Sequence, residues 1–506
     1  MANEEELHRC ITAFMLDTTE CTKNEHASEV QFIRLSMQII NSNTEVEILI
    51  SGSSAEFYIN PMLSSIGDVD IMTRSKDMLA IPYGYEISSD WCQTNVTHVI
   101  QIIDSHKPGY VYLQRSCILS KNDSSGCVVK NIDSDAAFFV ANFEPARYER
   151  CYCENSCLNS FAKLLIPLVF SYIRHGPADK VVRDIKFSDS FTPSSFLLSN
   201  TETVVSFRCP IWPPLAAGWP TRSRDHSWPD PTTINLVVSN ACDVVGAVHP
   251  SCRQDEWMNI YQWRLSFSRA EVTLLNSWTP VQQIIYHMLR LVLKREVLSE
   301  IKDNEPYLPK LSNYNIKTLM LWECEQKPPS WWLTESSLVK LCSLLLHKLS
   351  DWVADKQCQH YFISKCNLLD DFSDESSQTF CNKVRSLANV AFLLIWFFEN
   401  YICNCAPLCP ENVSKLFEEF HCSSKFEKAT CAIIDWKLCM LPCERFSDNC
   451  ESEKMMLSFQ LSCNLDTLAS PTVRRGLQKF RFSATRLFHC SDRSVGCIYA
   501  LAPLTD

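Results

Sequence analysis

The most constraining stretch of the chain runs from Val46 to Met72, VEILISGSSAEFYINPMLSSIGDVDIM. Val46 to Ile50 reads as a short buried strand that ends on Ser51-Gly52-Ser53-Ser54. A second apolar run carries Asp68 and Asp70 on either side of Val69. Residues two apart on a strand share a face, so the two carboxylates sit side by side while Val69 and Ile71 turn to a core. Carboxylates held that close repel unless a cation stands between them. Magnesium or manganese with phosphate oxygens is the usual answer. Gly52-Ser53, at the mouth of the preceding strand, offers backbone N–H groups to such phosphates. The chain has only 10 glycines, which adds weight to one placed where backbone must approach a ligand.

A lone Asp-x-Asp is more often a solvated pair, and a lone Gly-Ser says less still. The order is what matters: strand, Gly-Ser, an intervening segment, then Asp-x-Asp on an apolar strand. That order resembles the polymerase-beta-like nucleotidyltransferase signature.

Composition narrows the class. A chain of 506 residues accommodates two or three packed units. Its 46% hydrophobic and 21% charged residues are ordinary for a globular protein. A net charge of −11 argues against a wholesale basic surface for nucleic acid and leaves room only for a local groove. The opening MANEEELHRC lacks the apolar core of a signal peptide. The most apolar run, Val390 to Phe398, is shorter than the roughly 20 residues that span a bilayer, and it reads as a buried helix. The 27 cysteines are an odd number in a chain too large to need disulfides as its core, so reduced thiols and a cytoplasmic setting are expected.

The fold class read from the pattern is α+β. Residues 1–45 read as an N-terminal helical brace, with Val30, Ile33, Met37 and Ile40 at helical spacing. Residues 46–250 read as a core with a mixed sheet and flanking helices. Its strand candidates are residues 97–103, 109–113 and 136–141, and residues 157–174 read as an apolar helix interrupted near Pro167. A strand over 203–208 runs into a Pro- and Trp-rich loop anchored by Trp212, Trp219 and Trp228. Residues 251–400 read as an all-helical lobe, with helices over 281–298, 315–322 and 338–352. Residues 401–506 form a cysteine-containing tail with no clear periodicity after Cys443.

Four later segments join the opening motif. They are Arg208-Cys209-Pro210-Ile211-Trp212-Pro213 with Trp219, Arg222, Arg224 and Trp228; Trp263-Arg264-Leu265-Ser266-Phe267-Ser268-Arg269-Ala270-Glu271; Leu311 to Thr318 with Trp322; and His360-Tyr361-Phe362-Ile363. With these in this order, over roughly residues 25–370, the chain resembles the cyclic GMP-AMP synthase-like (Mab-twenty-one) family. The resemblance implies a nucleotidyltransferase lobe followed by a helical lobe, with ATP or GTP and Mg2+ or Mn2+ in the cleft between them. In active members, metal ions held by three carboxylates support in-line phosphoryl chemistry that ends in a cyclic dinucleotide serving innate immune signalling. Carried over by position, Gly52 and Ser53 cradle phosphates and Asp68 and Asp70 hold metal. Arg264 stacks on a base or meets phosphate, Ser266 and Ser268 hydrogen-bond the nucleotide, and Tyr314 stacks on a base beside Asn313. His287 lies where some members place a phosphate-contacting lysine.

Three departures stand out. Counting back from Arg208 puts the third metal carboxylate of the family at Thr203, a neutral hydroxyl. Glu202 is adjacent and would reach the site only through a slip or bulge. Phe57 follows Glu56 where the family has glycine. The segment after Glu271, VTLLNSWTP, lacks the insertion that forms a zinc thumb in the vertebrate DNA sensor, so no device of that kind for double-stranded DNA is expected; the resemblance leaves the activating ligand open, with double-stranded RNA as one candidate. Two cysteine sets, Cys151/Cys153/Cys157 and Cys403/Cys405/Cys409, have a spacing unusual for zinc and read as free or structural thiols. Arg474, Arg475, Lys479, Arg481 and Arg486 interleave with Phe480, Phe482 and Phe488 and read as a basic amphipathic segment. Two functions stay open: an enzyme in which Glu202 joins Asp68 and Asp70, and a catalytically impaired nucleotide-binding or protein-interaction member with Thr203 in the third place.

Overall fold

The computed structural model describes residues 8–9, 11–16, 46–56, 69–88, 91, 96–122, 126–132, 139–142, 170–175, 178–183, 201–298, 311–333 and 338–402. The chain divides into two compact units, Thr19–Val390 and Met1–Thr18 with Ala391–Asp506. Asp68, both cysteine sets and the basic-aromatic segment near the C-terminus lie outside the described residues.

In the larger unit the strands are β1 (Val46–Ser51), β2 (Val69–Pro82), β3 (His98–Asp104), β4 (Tyr110–Asn122), β5 (Gly126–Asn131), β6 (Phe170–His175), β7 (Ala178–Arg183), β8 (Thr201–Cys209), β9 (Cys242–Val245) and β10 (Gln262–Ser266). Among the described residues they form one sheet in the order β1-β2-β3-β4-β10-β9-β8-β7-β6, with β5 on β4. β2 is the organiser. Its first half pairs antiparallel with β1 and parallel with β8, and its second half pairs parallel with β3. The β2–β8 pairing closes β2-β3-β4-β10-β9-β8 into a ring. The sheet is therefore mixed, as the sequence pattern predicts.

Register sorts one face of this sheet into rows. Leu49, Met72 and Val204 are register partners, and they pack with Val245 and Ala247 into an apolar cluster. Two residues toward one end lies the row Ser51, Asp70, Glu202; two residues toward the other lies Glu47, Arg74, Ser206. Period-two alternation puts all three rows on one face, an apolar band between two polar ones.

Helix α1 (Gly52–Glu56) follows β1 directly. Next come α2 (Pro231–Asn240), α3 (Glu256–Tyr261), α4 (Ser268–Asn276), α5 (Pro280–Leu293), α6 (Asn313–Gln326), α7 (Pro329–Trp332), α8 (Leu338–Ala354) and α9 (Asp374–Leu387). Their starts are legible in sequence. Asp230 caps α2 with Pro231 at the first turn, and Thr279 and Gln282 form a reciprocal capping box ahead of α5. α4 packs on α1 and α2, α5 on α6, and α8 on α9.

In the smaller unit, residues 11–16 are helical, and α10 (Val390–Phe397) begins at the unit boundary. Leu393, Leu394, Trp396 and Phe397 are buried while Phe392 and Ile395 are exposed. The expected buried helix is thus buried along one face only. No single helix among the described residues is long and apolar enough to cross a membrane.

Some expectations change. The 157–174 helix does not reach its proposed end, because residues from Phe170 onward form a hairpin with β7. Phe170, Tyr172 and Ile173 favour a strand there. The strand over 136–141 reduces, among the described residues, to one bridge between Phe139 and Gln114. Ser268 starts α4 rather than lining a strand.

Candidate functional site

The β1–α1 turn and the start of β2 meet closely. Gly52 sits at φ +56°, the left-handed region where a side chain is strained, and a Cβ there would overlap the Asp70 carboxylate, 2.7 Å from its Cγ. The glycine is required on both counts. Ser51 is buried, and its hydroxyl donates to the Asp70 carbonyl at 3.4 Å.

The third carboxylate position needs correcting. β8 pairs with β2 so that Asp70 faces Glu202 and Ile71 faces Thr203. Register partners on adjacent strands lie on the same face. Position 202, not 203, therefore falls in the Asp70 row, with no slip or bulge at that point. Counting back from Arg208 could not supply this, because strand register is a tertiary property.

A buried polar chain leads away from α1. Glu56, the last residue of α1, forms an ion pair with Lys317 of α6, and the Tyr286 hydroxyl donates to it at 3.4 Å. Lys317 also donates to Glu271 of α4 at 2.8 Å. The Tyr314 hydroxyl donates to the other Glu271 oxygen at 3.0 Å and lies 3.0 Å from His360 Nε2. His360 Nδ1 accepts two backbone N–H bonds, from Phe362 at 3.0 Å and Ile363 at 3.2 Å. That leaves the proton on Nε2, where it donates to Tyr314. Every hydrogen in the chain then has an assigned direction.

The charges follow. Burial alone would raise the Glu271 carboxyl, but Lys317 and the hydrogen bonds it and Tyr314 make hold it below its usual range. Burial would lower Lys317, yet Glu271 and Glu56 keep it well above its ordinary value, so it stays protonated. His360 is pushed down to about 4 by burial, with Arg264 adding to the effect. It is neutral at physiological pH.

The remaining expected site residues divide. Arg264 is exposed on β10 and lies within electrostatic reach of Tyr314 and His360. Tyr110 of β4 is its cross-strand partner. Asn313 opens α6, and its Oδ1 is buried with no hydrogen-bond partner among the described residues. Ser266 ends β10 opposite Asp243. The side chain of Ser53 is outside the described residues. His287 is not with this group of polar residues: it is buried in α5, and burial together with the Arg290 charge pushes its imidazole down to about 3. A neutral ring in the core cannot serve as a phosphate-contacting cation.

The Cys-Pro-x-Trp-Pro loop and the His360–Ile363 segment are scaffold in large part. Trp212 and Trp219 of the Cys-Pro-x-Trp-Pro loop pack on Phe362, and Phe267 stacks on the same ring at 4.5 Å. Arg222 lies 4.4 Å from the ring centres of both Trp322 and Tyr361 and pairs with Glu325 at 2.5 Å. This core fixes the loop that carries His360. Sequence reasoning missed Glu56, Glu271, Lys317 and His360 as a linked set. The one available signal was Lys317 one helical turn after Tyr314.

Among the described residues, no cluster of three or more His, Cys, Asp and Glu side chains is disposed to hold a metal ion. Asp68 and the Glu202 side chain are outside that set. The donors that are present still suit a hard divalent cation: a carboxylate at Asp70, a carboxylate residue at its register partner and a Cβ-free backbone beside them.

Residues 191–277 match the protein-family model described as the Mab-21 protein nucleotidyltransferase domain. Residues 282–386 match the model described as the Mab-21 protein HhH/H2TH-like domain. The boundary between the two matches falls at the turn between α4 and α5.

Proposed function

The chain belongs to the Mab-21 family of nucleotidyltransferase-fold proteins, and from that premise we propose that it is a metal-dependent nucleotidyltransferase acting on nucleoside triphosphates. The observation that carries the reading is the register of β2 and β8, which sets Glu202 opposite Asp70. Asp68, outside the described residues, stands two residues before Asp70 in the sequence, so the sequence supplies a third acidic residue close to this pair. Threonine at 203 is then no defect.

Each residue has a part. Gly52 gives phosphates close access to backbone beside Asp70. Asp70 and Glu202 hold Mg2+ or Mn2+, which when bound would offset phosphate charge and favour departure of pyrophosphate. Arg264 and Tyr314 grip a base, the planar cation on one side and the ring on the other. The hydroxyl of Tyr314 is tied to Glu271 and His360, so its ring is held in place before a ligand arrives. Asn313 Oδ1, buried without a hydrogen-bond partner among the described residues, is an acceptor for an exocyclic amino group. Transfer of one nucleotidyl group to the hydroxyl of a second nucleotide, repeated once, gives the cyclic dinucleotide that the family resemblance implies.

Incubation with labelled ATP and GTP, Mg2+ or Mn2+, and either double-stranded RNA or DNA tests this. Labelled oligonucleotide or cyclic product is expected, with a loss of at least about 100-fold in Asp70→Ala. Absence of product, with metal-dependent nucleotide binding retained, would instead support a binding protein.

A further inference from the structure

A second charged cluster lies at the other end of the same sheet face. Asp243 of β9 is fully buried, and both its oxygens are engaged. Oδ1 accepts from Arg74 Nη1 at 3.1 Å and Arg269 Nη2 at 3.4 Å, and Oδ2 accepts from Arg269 Nε at 3.0 Å. Glu47 is engaged as well, since its Oε2 accepts from Arg74 Nε and pairs with Nη2, both at 2.7 Å. Arg208 of β8 is the direct cross-strand partner of Asp243. It arrives at a carboxylate that two other arginines already occupy.

The charge does not balance. Among the described residues the cluster holds three guanidiniums, Arg74, Arg208 and Arg269, against two carboxylates, Glu47 and Asp243. Arg208 is half-buried, and its Nε is buried with no hydrogen-bond partner among the described residues. Burial and the two neighbouring arginines both act to lower its pKa. A guanidinium stays charged nonetheless. For structure alone this is a poor arrangement: one arginine would satisfy Asp243, and a third adds repulsion in a chain that is acidic overall. Arg74 is almost fully buried, while Arg269 keeps 21% of its side chain in contact with solvent, so the surplus charge borders water.

We propose that Arg74, Arg208 and Arg269 form a binding site for a phosphate-bearing anion, separate from the Asp70–Glu202 row. Tetrahedral oxyanions match the guanidinium fork, with two parallel N–H···O bonds per arginine. The site stands at the Cys209 end of β8. Arg208 is six residues beyond Glu202, about 20 Å along an extended strand. A nucleotide phosphate held beside Gly52 would not reach it. Free phosphate and a phosphate ester share the chemistry required.

The test is thermal unfolding of the full chain in EDTA at constant ionic strength. Inorganic phosphate is the first probe and ATP without divalent metal the second; chloride is the control. Phosphate is expected to raise the melting temperature of the wild type and of Asp70→Asn. In Arg208→Gln that rise is expected to vanish, while the variant without phosphate is at least as stable as the wild type, because a crowded charge is gone. A rise with ATP larger than with phosphate, and also lost in Arg208→Gln, would identify a phosphate ester as the better ligand. Equal phosphate stabilisation of wild type and Arg208→Gln would overturn the proposal. So would loss of the effect in Asp70→Asn, which would place the phosphate at the Gly52 turn. Marked destabilisation of Arg208→Gln without phosphate would also overturn it, by showing that the protein itself uses the charge.

Discussion

Replacing Lys317 with methionine is expected to destabilise the fold by about 3–5 kcal/mol at neutral pH, the cost of leaving buried charges without their partner. Lys317 stands between Glu56 and Glu271, and all three side chains are at least nine-tenths buried. Methionine keeps the length of the stem and removes the only cation that both carboxylates share among the described residues. The pH dependence gives the effect a signature. In the wild type the Glu271 pKa is depressed, so its contribution is complete above the unfolded value of about 4.3 and is lost as pH falls through the lower folded value. In the variant, burial without the Lys317 cation acts to raise the Glu271 carboxyl instead. Acidification then lets it take a proton, and the deficit shrinks as pH falls. Urea denaturation of both proteins from neutral to acidic pH measures this directly. A deficit that is small, or constant with pH, would mean that the Glu56–Lys317–Glu271 pairing contributes little to the native state.

The second large effect is at Gly52. Alanine there meets two penalties. A left-handed φ of +56° costs a side chain about 1–2 kcal/mol, and the new Cβ collides with the Asp70 carboxylate. Relief of the collision must move Asp70, so metal-dependent nucleotide binding is expected to fall by at least about 100-fold, equivalent to roughly 2.7 kcal/mol. Gly84 provides the control. It has φ +85° in a turn with nothing within 4 Å of an added Cβ. Gly84→Ala therefore carries backbone strain alone and is expected to keep binding. Equilibrium dialysis of an ATP analogue with Mn2+ against both variants separates strain from displacement. Equal behaviour of the two would remove Asp70 displacement from the explanation.

Several features were legible because they depend on local chemistry. The strand ending on Gly-Ser, the strand before Cys209, and the existence of helices α5 and α6 follow from alternation, turn residues and helical periodicity. What escaped depends on who stands next to whom. Thr203 looked like the substituted position because counting from Arg208 assumes a register; β8 takes the register one residue away. His287 looked like a ligand because a histidine on a helix surface and one in a core read alike along the chain, and only packing separates them. The Glu56–Lys317–Glu271–Tyr314–His360 chain draws on three helices and the loop bearing His360, with ion-pair partners 46 residues apart or more. No spacing rule reaches across such distances. Arg208 reads along the chain as part of the Arg-Cys-Pro motif, while its surplus charge emerges only when β8 lies beside β9.

Glu202 and Asp70, not Thr203, are register partners in the row beside Gly52. The most direct test is Mn2+-dependent binding of a non-hydrolysable ATP analogue by the wild type, Glu202→Gln and Thr203→Val, followed by calorimetry. Glu202→Gln is expected to lose at least about tenfold in metal-dependent affinity, some 1.4 kcal/mol, while Thr203→Val binds like the wild type. Retained binding in Glu202→Gln together with loss in Thr203→Val would contradict it.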